Sequence, residues 1–145
     1  VAGTISRFWI RWLVVLWGVI IVMGLALIFT PLVDITIGSH YYNQYFDYDA
    51  YAVISDGDLR FQTFLYGISG AVLASWAIVM LFLVLFPLRQ GQRWAWYAIF
   101  LSACVWFIGD GYASVATGFT LHAFLNLGLF IPLMIPLFAI YRQTQ

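Results

Sequence analysis

Four apolar runs, each about as long as a bilayer is thick, limit what this chain can fold into more than any other feature. They occupy residues 9–30, 61–86, 94–116 and 121–141. A helix needs about 20 predominantly apolar residues to cross ~30 Å of hydrocarbon, and each run supplies that length. Helix is the only form on offer, because every backbone amide in lipid must be satisfied within its own segment or around a closed barrel. The runs show none of the strict alternation that barrel strands require.

Composition points the same way. Of 145 residues, 64% are hydrophobic and 8% charged, against about 25% charged in an ordinary soluble domain. The links after the second and third runs, "PLRQGQR" and "TGFT", are too short to hold a domain. The expected fold is therefore all-α: one transmembrane domain over 1–145, an integral membrane four-helix bundle with a single long outer loop at 31–60. The first run is longer than the 7–15 residues of a signal-peptide core and precedes no small-residue cleavage site, so it reads as a retained span.

Charge sets the expected orientation. Arg7 and Arg11 precede the first run, Arg89 and Arg93 lie between the second and third, and Arg142 follows the fourth. Four crossings put all of these on one side, which the positive-inside rule makes the cytoplasm, with both termini. The outer loop carries Asp34, Asp47, Asp49, Asp56 and Asp58 with Arg60. Trp9, Trp12, Trp94 and Trp96 fall where a cytoplasmic aromatic belt belongs. Within the loop, Tyr41, Tyr45 and Tyr48 share one helical face, suited to the headgroup layer or to a subunit interface. "SDGD" reads as a turn before the second span.

One carboxylate breaks the pattern. Asp110, in "FIGDGYASV", lies six residues inside the third run, about 9 Å at 1.5 Å per residue. Asn126 lies at a matching depth in the fourth run, with His122 one turn above it. Gln62 and Tyr66 of the second run belong to the same outer layer, Ser114 shares a face with Asp110, and Arg60 stands at the surface. These seven residues form a candidate polar cluster. An intramembrane ionisable group is by default a functional hypothesis. The alternative is a purely structural role, in which Asp110 ties the third helix to its neighbours through interhelical hydrogen bonds. No second polar relay is visible in the inner half, which disfavours proton transport.

Other patterns concern packing and cofactors. Gly67, Ala71 and Ser75 form one small-residue stripe on the second run, and Gly70 and Ala74 a second beside it; both are candidates for close helix contact, making this helix central. Pro132 and Pro136 should bend the fourth helix. Haem is disfavoured because His40 lies in the loop, away from His122. Cys104 stands alone, which disfavours disulfides and thiolate metal sites. No catalytic constellation or metal-ligand spacing is present, and no basic patch offers a nucleic-acid footprint.

From "GISGAVLASWAIVMLFLVLFPLRQGQRWAWYAIF" through "VWFIGDGYASVATG" to "HAFLNLGLFIPLMIPL", roughly residues 64–138, the chain resembles small uncharacterised bacterial four-helix membrane proteins. The marks of that resemblance are the "GQRWAW" turn, the aspartate of "FIGD" and the asparagine of "FLN". It implies the architecture and a cytoplasmic turn, and brings no activity with it.

The functional expectation is a non-catalytic subunit or accessory protein of a larger inner-membrane complex. An electron-transfer or photosynthetic assembly would suit the 20% aromatic content, through contact with lipids, pigments or other subunits. The alternative is a small protein, enzymatic or not, that binds an isoprenoid, quinone or lipid headgroup at the outer polar cluster. A homo-oligomer fits either reading.

Overall fold

The computed structural model describes residues 5–29 and 55–143. Among these, all regular structure is helical: α1 Arg7–Phe29, α2 Asp56–Leu83 running on through a π-helical turn Val84–Leu88, α3 Arg93–Ala116 and α4 Thr120–Tyr141. All four are long and apolar enough to cross a membrane, which makes the chain a multi-pass membrane protein in architecture. Tyr41, Tyr45, Tyr48 and His40 lie outside the described residues.

Helix α2 differs from expectation at both ends. "SDGD" is not a turn: Ser55 caps the helix, its Oγ accepting from Asp58 N–H at 3.2 Å and donating to Asp58 Oδ2 at 2.6 Å. The serine thereby satisfies the Asp58 amide, one of the orphan donors at a helix start. Asp56 and Asp58 also place negative charge on the positive end of the helix dipole. Nor does the helix stop at Pro87. That residue has no N–H to offer the carbonyl of Leu83, and its ring would crowd that carbonyl. Widening the turn relieves both problems, with Arg89 N–H reaching Val84 O, five residues back, at 3.2 Å.

Both short links close on a glycine that only glycine suits. Gly91 (φ +80°) and Gly118 (φ +84°) adopt left-handed backbone, which costs other residues about 1–2 kcal/mol. At the first, Gly91 N–H reaches Leu88 O at 2.9 Å and Gln92 N–H reaches Pro87 O at 2.9 Å. At the second, Gly118 N–H reaches Val115 O at 3.2 Å and Phe119 N–H reaches Ser114 O at 2.8 Å. The same pair of bonds thus satisfies the last carbonyls of each helix.

The chain falls into two compact units, Val19–Ala77 and the combination of Val1–Gly18 with Ile78–Gln145. In the first, α1 and α2 meet at two glycines. A Cβ added to Gly24 would stand 2.7 Å from Ala74 N, and one added to Gly70 would stand 2.5 Å from Gly24 O. The contact therefore uses the Gly70–Ala74 stripe. The parallel stripe does not take part: Gly67 has open space around it, and Ala71 and Ser75 are exposed. The second small-residue contact expected of α2 is not made within this unit. The two faces lie about 60° apart on a helix with 3.6 residues per turn, so a single neighbour covers one of them.

In the second unit, α3 packs along α4 and touches the π turn, and Leu13, Trp17, Val84, Leu88, Ile99, Leu133, Leu137 and Ile140 are fully or almost fully buried. Two indoles tie this unit to carbonyls of α4. Pro136 deprives the Pro132 carbonyl of its normal i+4 donor, and Trp12 Nε1–H supplies a replacement at 3.1 Å. Trp96 Nε1–H donates to Leu137 O at 2.6 Å. Trp96 is consequently a core residue rather than part of an interfacial belt, stacked on Phe100 at 4.8 Å and 12°. Ser6 N–H donates to Gln143 Oε1 at 2.8 Å. With Trp96 one turn inside α3 and close to Tyr141, these contacts gather Arg7, Arg11, Arg89, Arg93 and Arg142 at one end of the unit.

Candidate functional site

The α3–α4 hairpin places polar residues at the end opposite the arginines. The link between the two helices is short, so residues equally far from it must face each other at the same level. Asp110 lies six residues before the last residue of α3, and Asn126 six after the first of α4. Asn126 Nδ2 donates to Asp110 Oδ2 at 2.8 Å. His122, one turn nearer the link, brings Nε2 to the same oxygen at 3.3 Å. With a proton on Nε2 the contact is a hydrogen bond to the carboxylate, which only accepts. Ser114 Oγ donates to the backbone carbonyl of Asp110 at 2.7 Å, tying it to the same stretch of helix.

Burial is graded across the cluster. Asn126 and Ser114 are almost completely covered, whereas the Asp110 and His122 side chains keep 33% and 41% of their surface. Both donors converge on Oδ2; neither reaches Oδ1. One turn deeper, Phe107 and Phe130 stack with ring centroids 4.2 Å apart and planes 16° from parallel. An aromatic layer thus closes the polar cluster on its inward side. Chemically, the arrangement is an acceptor held in place by two donors, with its second oxygen oriented away from them. It suits a hydroxyl or ammonium donor better than a carbonyl or phosphate, which would bring a further acceptor to a carboxylate.

The remaining members of the expected cluster belong to the other compact unit. There Gln62 Nε2 donates to Tyr66 Oη at 3.0 Å, one turn along α2. Gln62 Oε1 is buried without a hydrogen bond. Arg60 is exposed near the start of α2. Within the hairpin the cluster comprises Asp110, His122, Asn126 and Ser114. Among the described residues, no group of three or more histidine, cysteine or acidic side chains is arranged to hold a metal ion.

Two features escaped the sequence reading. Gly24 is half of the closest helix contact, and its signal was available: a glycine amid large apolar residues on α1. The bond from Trp12 to the Pro132 carbonyl was signalled by Pro136, which frees the carbonyl four residues back; the bond from Trp96 to Leu137 O had no such signal.

Comparison with protein-family models, with characterised proteins and with solved structures returns no match for this chain. The four long apolar helices are consistent with a small membrane protein.

Proposed function

We propose that this chain is a non-catalytic subunit or accessory protein of a larger assembly in a bacterial inner membrane, with its arginine-bearing end and both termini in the cytoplasm. The observation that carries the reading is the stripe Gly67–Ala71–Ser75 on α2, where a Cβ at Gly67 would meet nothing within 4 Å and Ala71 and Ser75 are exposed. In lipid, helices associate through close backbone approach at small residues. The Gly70–Ala74 stripe already shows this within the chain. Its twin is equally flat, carries no large side chain and is left uncovered. A transmembrane helix of another subunit, or of a second copy, is the partner such a stripe accepts.

The test is substitution of Gly67 and Ala71 by leucine, followed by purification from native membrane. The isolated chain should fold and melt as the parent does, because neither position packs within it, while co-purifying subunits or self-association are lost. Unchanged co-purification by the double variant would remove the stripe from the interface. Orientation has its own measurement. In a background lacking Cys104, cysteines at Gln90 and Gln143 should resist impermeant thiol reagents in intact cells, while one at Ser55 should react; labelling at Gln90 with protection at Ser55 would reverse the topology.

A second reading rests on a different observation, the convergence of both donors on Asp110 Oδ2. It makes the hairpin cluster a seat for the hydroxyl of a quinol or isoprenoid alcohol, or for a lipid headgroup donor, at the depth where such groups reside. A stoichiometric small molecule purifying with the parent, and lost from Asp110→Asn, supports that reading over the first.

A further inference from the structure

At the arginine end, the end of α2 and the start of α3 border an open groove of about 440 Å³, within the range of about 300–1,000 Å³ usual for ligand sites. Its walls are hydrocarbon: Phe82 and Phe86, stacked at 5.7 Å and 14°, with Val79, Leu83 and Pro87. The π turn shapes it, and such turns recur at functional positions. Gln90, Gln92 and Trp94, in and beside the α2–α3 link, complete the lining at its mouth.

The hydrogen bonds at the mouth have a fixed direction. Trp94 Nε1–H donates to Gln92 Oε1 at 2.7 Å, and Gln92 Nε2 donates to Gln90 Oε1 at 3.0 Å. An indole N–H can only donate. Gln92 must therefore turn its oxygen to Trp94 and its amide nitrogen to Gln90, and Gln90 must answer with its oxygen. The amide NH₂ of Gln90 is thereby left as the terminal donor at the mouth. Arg89 and Arg93, each next to a lining residue in the chain, are both exposed, and "VLFPLRQGQRWA" contains no acidic residue. The α2–α3 link beside the groove thus carries donors and positive charge, though neither arginine lines the groove itself, whose walls are hydrocarbon. Trp94, 57% exposed at the first turn of α3, places the mouth at the level of lipid headgroups.

The geometry points to a binding site for an anionic phospholipid, with one acyl chain in the groove and its phosphate at Gln90, Arg89 and Arg93. Guanidinium groups pair with phosphate oxygens through parallel hydrogen bonds. A zwitterionic lipid carries the same chains and phosphate but cancels the charge. Two arginines near an anionic lipid correspond to a preference of roughly 10- to 30-fold. This inference is independent of the subunit reading, since it concerns the C-terminal end of α2, beyond the Gly67–Ala71–Ser75 stripe.

The experiment uses the full chain in detergent, titrated with fluorescent phosphatidylglycerol or phosphatidylcholine of identical acyl chains, with glycerol phosphate as a headgroup-only probe. The parent should bind phosphatidylglycerol about tenfold or more tightly than phosphatidylcholine, and glycerol phosphate far more weakly than either. Arg89→Gln with Arg93→Gln should abolish the preference while keeping chain binding. Val79→Trp, which fills the groove from an exposed position, should weaken both lipids. Equal binding of the two lipids by the parent, or a preference that survives the double arginine variant, overturns the proposal. So does glycerol phosphate binding as tightly as the lipid, which would leave the groove without a role. Should Val79→Trp fail to fold, the arginine pair decides alone, since both side chains are exposed.

Discussion

Gly70→Ala is expected to lower the melting temperature of the protein in detergent by roughly 5–15 °C, while Gly67→Ala, three residues away, leaves it unchanged or raises it. The new methyl at 70 would lie 2.5 Å from Gly24 O and 2.8 Å from Leu27 Cβ. The nearer obstacle is backbone, which cannot swing aside, so the helices must separate along their contact. Overpacking of this kind costs about 1–3 kcal/mol, and each kcal/mol corresponds to a few degrees in a chain of this size. Gly24→Ala meets Ala74 N at 2.7 Å and Gly70 O at 2.8 Å and should behave alike. At Gly67 no atom lies within 4 Å of the new methyl, so only the better helix propensity of alanine is felt, up to about 1 kcal/mol. The two substitutions are chemically identical and differ only in helix face. Equal melting temperatures would show that α1 and α2 do not meet at Gly24 and Gly70.

The same pair of glycines shows where the sequence was readable and where it was not. Hydropathy places the helices because crossing a bilayer demands a minimum apolar length, and four runs satisfy it. The rotational phase of a helix carries no such demand. Gly67–Ala71–Ser75 and Gly70–Ala74 are equally good small-residue stripes, and the choice between them depends on where α1 lies, which about 30 intervening residues leave open. Register behaves differently across a tight link. The α3–α4 connection leaves little freedom, so equal spacing from it was enough to pair Asp110 with Asn126. Gln62 and Tyr66 were assigned to the same layer by depth alone. Depth states a level in the membrane and says nothing of the lateral neighbour; within their own helix those two side chains bond each other. Helix ends were misread for a local reason: Ser55 and Pro87 act through hydrogen-bond geometry, and both "SDGD" and an X-Pro step also occur as helix breaks.

Asp110→Leu is expected to destabilise the hairpin by about 1–3 kcal/mol, the penalty for leaving a buried polar group without its partner. The group concerned is Asn126, only 4% exposed, whose amide nitrogen donates to Asp110 Oδ2. Leucine offers no acceptor, and the stacked Phe107–Phe130 pair one turn deeper offers none either. His122 is 41% exposed in its side chain, so most of the effect should arise at Asn126. Asp110→Asn keeps an acceptor oxygen in nearly the same position and should cost much less. If the Asp110–Asn126 bond is what fastens α3 to α4, a double-mutant cycle with Asp110→Ala and Asn126→Ala should return a coupling of about 0.6–2 kcal/mol, as measured for interhelical hydrogen bonds in membranes. Thermal unfolding in detergent, followed by fluorescence-detected size exclusion, reads all of these variants. A leucine variant as stable as the parent would show that this bond does not hold the hairpin together. A stable Asp110→Asn protein that has lost a bound small molecule or a partner would assign Asp110 to function, because the amide preserves the clasp and removes only the carboxylate charge.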